Sequence, residues 1–162
     1  MFLLLLLALA APADARGAIV FAGGGWAAVD RGAVCEALAR SQKIAARGKV
    51  QAVAGFSFTT DRKRWGEFHA RLSRFTRPGS SVIVHFGEQP FLLVARGDWA
   101  WSRGPLQEQA IIAAARQATG MRIDGRDTSG RRFSDPYALD GAPTAIDAAA
   151  ARCSVRGAGK IG

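Results

Sequence analysis

The stretch RWGEFHARLSRF places Glu67 and His69 two residues apart. In an extended strand that spacing puts both side chains on one face. A carboxylate beside an imidazole that titrates near neutrality is the minimum needed for proton transfer. Glu67 and His69 are therefore the candidates for a hydrolase centre. The simpler reading is an ordinary exposed strand face. His85 alternates with Val84 and Phe86, so it faces away from the core side of its own strand. Asp124 and Asp127 flank a turn and read as solvated carboxylates. No G-x-S-x-G or H-E-x-x-H pattern occurs. The glycines of VFAGGGWAAVDR lack the residues and spacing of a phosphate loop, and read as a flexible lead into a strand carrying Trp26. No catalytic residue, cofactor or metal site follows from these residues.

A second constellation is basic and aromatic. Arg62, Lys63, Arg64, Arg71, Arg74 and Arg77 fall within DRKRWGEFHARLSRFTR, interleaved with Trp65 and Phe75. Alternation puts Arg71 on the outer face with Trp65, Glu67 and His69. Guanidinium groups beside aromatic rings hold phosphates, acidic glycans or lipid headgroups. The competing reading is a solvated face and loop. No nucleic-acid-reading motif accompanies the cluster, so nucleic acid is not the expected partner. The formal net charge of +9 favours anionic partners in the same way. Of the 22 basic residues only Lys43, Lys49, Lys63 and Lys160 are lysines. That arginine bias reflects either function or the base composition of the genome.

Cys35 and Cys153 are the two cysteines of the chain. In a reducing compartment they would be two buried thiols. In an oxidising one an even count favours a bridge, and only one pairing exists. The segment APTAIDAAAARCS reads as a short helix with Ile146, Ala149 or Ala150, and Cys153 on one face. AVCEALAR reads as a strand. A bridge would staple the last helix to an early strand, and a loop that long constrains the unfolded chain by roughly 5 kcal/mol in the simple loop model. No metal-ligand spacing surrounds either cysteine.

The compartment is suggested by the first residues, MFLLLLLALAAPADARGA. Their apolar run is too short to cross a bilayer, where about 20 residues are needed. It matches the apolar core of a signal peptide, and Ala13-Asp14-Ala15 offers a cleavage site. No basic residue precedes the run, which departs from the usual pattern; a buried N-terminal strand is the alternative. The expectation is a signal peptide over 1–15 and one domain over 16–162, ordered from about 24 to 154. The protein would then be periplasmic or secreted, and not membrane-spanning.

The 162 residues suit one domain, and 49% of them are hydrophobic. KVQAVAGFSFT alternates with Val50, Ala52, Ala54, Phe56 and Phe58 on one face. Thr60 to Lys63 supply a turn into the next strand. Val82, Val84 and Phe86 pair with Phe91, Leu93 and Ala95 across a hairpin at GEQP. Trp99 and Trp101 share a face. A helix is expected from about 105 to 118, with Leu106, Ala110, Ala113 or Ala114, and Gln117 on one side, Pro105 at its start and Gly120 beyond its end. DTSG marks a further hairpin, and RGAGKIG a frayed tail. The sum is a mostly β, antiparallel sandwich-like domain with one or two short helices, with an α+β domain as the alternative.

This order of elements resembles the invasion-associated locus B family of secreted bacterial proteins. GGWAAVDRGAVC resembles its early Trp and Cys, and the stretch from Gln107 through YALDGAPTAI resembles its late helix, strand pair and final motif. Two departures stand out. The family carries further cysteines close together in its second half, where this chain has only Cys153. The family's Phe after the motif glycine is Ala142 here. The resemblance implies a β-sandwich in the cell envelope and no enzymatic activity. The expected function is a non-catalytic envelope module that binds an anionic envelope component or a protein. Its alternatives are a small-ligand binder using an interior lined by Phe56, Phe58 and the Trp pair, and the Glu67/His69 hydrolase.

Overall fold

The computed structural model describes residues 17–159. The expected signal peptide lies outside them. Ten antiparallel strands, β1 (Ala18–Gly23), β2 (Trp26–Asp30), β3 (Val34–Arg40), β4 (Val53–Thr59), β5 (Trp65–Arg71), β6 (Val82–Phe86), β7 (Gln89–Arg96), β8 (Trp99–Trp101), β9 (Gly120–Arg126) and β10 (Arg132–Ala138), form one sheet. Helices α1 (Pro105–Gln117) and α2 (Ala142–Ala158) complete the chain. The strand order is β1-β2-β3-β4-β5-β8-β7-β6-β9-β10. The domain is mostly β with two helices, as the alternating patterns imply.

The layering arises because this single sheet curls. Strand β10 is last in the sheet, yet it meets the ends of β2, β3 and β5. Trp26 donates from its indole to the Ala138 carbonyl at 2.9 Å. Gln42 N and Ser41 Oγ donate to the Pro136 carbonyl. Ser73 N donates to Asp135 Oδ2 at 2.9 Å. The inward face carries the core, in which Phe68 of β5 lies edge-on to Phe86 of β6 at 6.0 Å, and Trp26 lies 6.1 Å from Phe56. Burying such large rings is the main stabilising term of a domain this size.

The helices pack on that same inward face, α2 over β1 to β4 and α1 chiefly over β5. In α2 the residues at helical spacing, Ala145, Ile146, Ala149 and Cys153, are buried. Cys153 is bonded to Cys35 of β3, with Cα atoms 5.7 Å apart. The bridge joins the last helix to an early strand, as the helical spacing of Cys153 implies.

Four details differ from the sequence reading. The chain is already in a strand at Ala18, and Gly24 and Gly25, with φ of 58° and 84°, form the β1–β2 turn rather than a flexible lead. A side chain at Gly24 would collide with Asp140, and one at Gly141 with Gly23, so these glycines let the turn press against the start of α2. Helix α2 continues through Ala158, so residues expected to fray are helical. In α1 the buried positions are Glu108, Ile111, Ala114 and Ala115, whereas Leu106 is 85% exposed. The buried stripe starts at Glu108, whose carboxylate accepts from Ser102 Oγ beside β8, and leaves Leu106 off that face.

Candidate functional site

The basic-aromatic stretch is divided among four places. Arg62, Lys63 and Arg64 occupy the β4–β5 turn, where Arg62 has a left-handed backbone (φ 59°). The Arg62 guanidinium lies 4.5 Å from the Trp65 ring centre and donates to Ser154 Oγ on α2 at 2.8 Å. Arg64 lies 3.6 Å from Glu67. Trp65 does not share the outer face with Arg71. Ladder pairing slips between Ser57 and Phe58, Gly66 adopts φ +85°, and Trp65 turns inward to meet Phe58 edge-on at 5.2 Å. This bulge is what simple alternation cannot anticipate. The φ of +85° at Gly66 strains any side chain, and a Cβ there would also press on the tip of Ile112 of α1, so the position favours glycine. Arg71 does reach the outer face and pairs with Asp98 at 3.1 Å. Arg77 leaves the sheet and its backbone N–H bonds Arg126 O. Arg74 enters a cleft described below.

The outer face of the sheet places His69 between two residues that the sequence reading did not pair with it. Ser57 Oγ lies 3.1 Å from His69 Nδ1, and Glu36 Oε1 lies 3.5 Å from His69 Nε2. Burial pushes the His69 pKa down, against the opposing pull of Glu36 and Glu67. A hydroxyl, an imidazole and a carboxylate in a row are the parts of a nucleophilic relay. Here Ser57 is 3% exposed and flanked by ladder neighbours Glu36 and Glu67, so its oxygen is sealed from a substrate carbonyl. The row works as a buried polar network within the sheet. Phe56 and Phe58 face the core while Trp99 is 39% exposed, so the aromatic residues expected to line an interior pocket lie on different surfaces.

A cluster of cations lies between the loop 41–52 and the β9–β10 hairpin, in which Arg131 pairs with Asp127 at 3.4 Å. Lys43, Lys49, Arg74, Arg131 and Arg132 line a cleft of about 460 Å³, with Phe133 and Ile44 as its apolar walls. A second hollow of about 650 Å³ adjoins it, sharing Lys43, Arg132 and Phe133 and adding Arg126. Lys43 Nζ donates to the Ser134 carbonyl at 3.1 Å and ties the loop to β10. The loop is held from the other side by Gln51, whose amide accepts from Ala45 N and donates to Ser41 O. Among the described residues, no carboxylate pairs with Lys49, Arg74 or Arg132.

The acidic groups nearby are already engaged. Asp127 Oδ1 accepts from Ser129 Oγ, Ser129 N and Arg131 N, closing the turn expected at DTSG. The Ser129 hydroxyl foremost holds the Asp127 pKa below its ordinary value. Asp124 pairs with Arg122 at 3.0 Å and lies 3.5 Å from His85. Both aspartates therefore act in surface structure rather than as an acid–base pair.

Of the cleft cations only Arg74 belonged to the expected surface. Lys43 and Lys49 precede it and Arg131 and Arg132 follow it, in two segments some 80 to 90 positions from each other that are joined because the sheet curls. The only linear signal was the sparing use of lysine, since two of the four lysines lie in this one loop. Among the described residues no group of His, Cys, Asp and Glu could hold a metal ion, and no helix is long and apolar enough to cross a membrane. No protein-family model, curated protein or solved structure matches the chain.

Proposed function

We propose that the protein is a non-catalytic, secreted cell-envelope module that binds an anionic partner in the cleft between the loop 41–52 and the β9–β10 hairpin. The observation that carries this reading is the cleft wall, where Lys43, Lys49, Arg74 and Arg132 have no carboxylate at ion-pair distance among the described residues and Arg131 shares Asp127 with its own turn. Like charges gathered in a concave wall focus a positive potential, and an anion entering it relieves their mutual repulsion. Arg131 and Arg132 add forked donors suited to carboxylate, sulfate or phosphate groups.

Four features support the secreted, non-catalytic part of the reading. A disulfide persists in oxidising compartments, and this one closes a long loop. The first residues read as a signal peptide, and the element order resembles the invasion-associated locus B family, which implies an envelope location. The seal over Ser57 argues against acyl transfer at His69.

The test is titration with inorganic polyphosphate, a probe that carries charge and no other recognisable group. The charge-reversal variant K43E/R74E/R132E alters exposed side chains, and circular dichroism checks its fold because Lys43 also bonds the Ser134 carbonyl and Lys43 and Arg74 act on buried Asp135; K49E/R132E, which touches neither contact, is the second variant and should also weaken binding. Binding by the wild type and at least a tenfold loss in the variant are expected. Equal affinities, or a wild type that does not bind, would overturn the proposal.

A further inference from the structure

The cleft lies at the end of the sheet that also carries an aromatic terrace, and the two together narrow the class of anion. Resting on the cleft reading, we infer that the partner is an acidic polysaccharide. Its charged groups sit in the cleft, and its sugar rings lie along Phe75, Trp99 and Trp101.

The terrace is built by the register of the outer face. One cross-strand row runs Arg71, Trp99, Arg96, and the next runs His69, Trp101, Val94. The two indoles lie with planes 13° apart and ring centres 6.2 Å apart. Trp99 is 39% exposed and Val94 49%, so the surface is apolar and open. Phe75 is 60% exposed and packs beside the β7–β8 turn at Gly97, next in sequence to cleft residue Arg74. Strands β3 and β5 end at Arg40 and Arg71, each three residues before a cleft cation, Lys43 and Arg74. Cleft, Phe75 and indole pair thus follow one another along the same end of the sheet.

The chemistry of this path discriminates between polyanions. A pyranose ring presents a face of weakly positive C–H groups, which lies against the negative face of an indole. Arg40 and Arg96 are exposed and, among the described residues, have no carboxylate partner, so an acidic substituent on such a ring meets cations there too. The row beyond Trp101 carries the half-buried carboxylates of Glu36 and Glu67. Carboxylates accept hydrogen bonds from sugar hydroxyls. Glu36 already pairs with Arg31 and Glu67 with Arg64, and neither a nucleic acid nor an acidic peptide brings a comparable density of hydroxyl donors to their remaining acceptor positions. An open strip suits a chain with repeating rings better than a single small molecule, which needs a concave site.

The experiment compares polygalacturonate, polyphosphate and poly-glutamate on the wild type, on F75A/W99A and on K43E/R74E/R132E. Phe75 and Trp99 are exposed, so their truncation leaves the core intact; Trp99→Leu keeps an apolar side chain without the flat face. The terrace variants should weaken polygalacturonate about tenfold while leaving polyphosphate unchanged. The cleft variant should weaken both. Unchanged polygalacturonate affinity in the terrace variants, with the cleft variant still defective, overturns the polysaccharide inference and leaves the cleft reading standing. An equal loss of poly-glutamate in the terrace variants makes the occupant a peptide and overturns it as well. A wild type that binds none of the three removes both.

Discussion

Lys43 Nζ lies 3.1 Å from the Ser134 carbonyl oxygen, joining a loop near the start of the chain to the strand that ends the sheet. The contact closes the cleft on one side and keeps one lysine beside Arg132. It depends on the curl that brings β10 against the ends of β2, β3 and β5. That curl is secured at a buried position, the bond between Ser73 N and Asp135 Oδ2.

The disulfide should be a major source of stability. Cys35 and Cys153 are both fully buried, and α2 rests on the strands that the bridge ties to it. The variant Cys35→Ala/Cys153→Ala should lose about 3 to 5 kcal/mol in urea unfolding, following the loop-closure argument and its usual shortfall. A loss below about 1 kcal/mol would mean that helix packing alone holds α2. Intact mass before and after reduction and alkylation checks that the bond forms.

Asp30 should make stability fall in acid. Arg152 and Arg156 of α2 both donate to its Oδ2, at 2.6 and 2.8 Å, and Gly32 N donates to Oδ1. Burial alone would raise the Asp30 pKa, but the bonds from Arg152, Gly32 and Arg156 together hold it below 3.8. A carboxyl depressed in the folded state stabilises fully above its unfolded pKa, and loses that contribution as pH falls through the folded value. Asp30→Asn should cost about 1 kcal/mol at neutral pH, since both arginines are partly solvated. The difference from wild type should shrink below about pH 4. A pH-independent difference would remove the ionic explanation.

Asp135 should behave in the opposite sense. It is fully buried, and among the described residues its Oδ1 has no hydrogen-bond partner, nor does the Tyr137 hydroxyl on the same strand. Burial pushes its pKa up, although Ser73, Lys43 and Arg74 pull against it. A raised carboxyl costs stability above its folded pKa, and the cost disappears below the unfolded value. Asp135→Asn keeps an oxygen for Ser73 N and removes the charge. It should stabilise the fold by about 1 kcal/mol at neutral pH, with no gain near pH 3. Destabilisation at neutral pH would show that the carboxylate is needed to hold the curl.

The strands were legible where period-two alternation is undisturbed, as in KVQAVAGFSFT, whose Ala54, Phe56 and Phe58 are all buried. The cysteine pairing was legible because only two cysteines exist and helical spacing turns Cys153 inward. Trp65 was misplaced because a bulge at Gly66 breaks the alternation, and the glycine inside the strand run was the signal that pointed to it. Ser57 and Glu36 were missed as neighbours of His69 because they sit on separate strands, and register decides the contact. The cleft was least legible. Its cations lie at 43, 49, 74, 131 and 132, and only the return of β10 assembles them.

The most direct test of anion binding is the salt dependence of polyphosphate affinity, measured on the wild type and on K43E/R74E/R132E over a range of salt concentrations. Each cation that neutralises a phosphate releases counterions, so log affinity falls linearly with log salt at a slope set by the number of contacts. The expected result is a steep slope for the wild type and one shallower by about 2 for the variant, which has lost three contacts. Identical slopes would contradict the assignment of the cleft, because the bound phosphates would then be held by other residues.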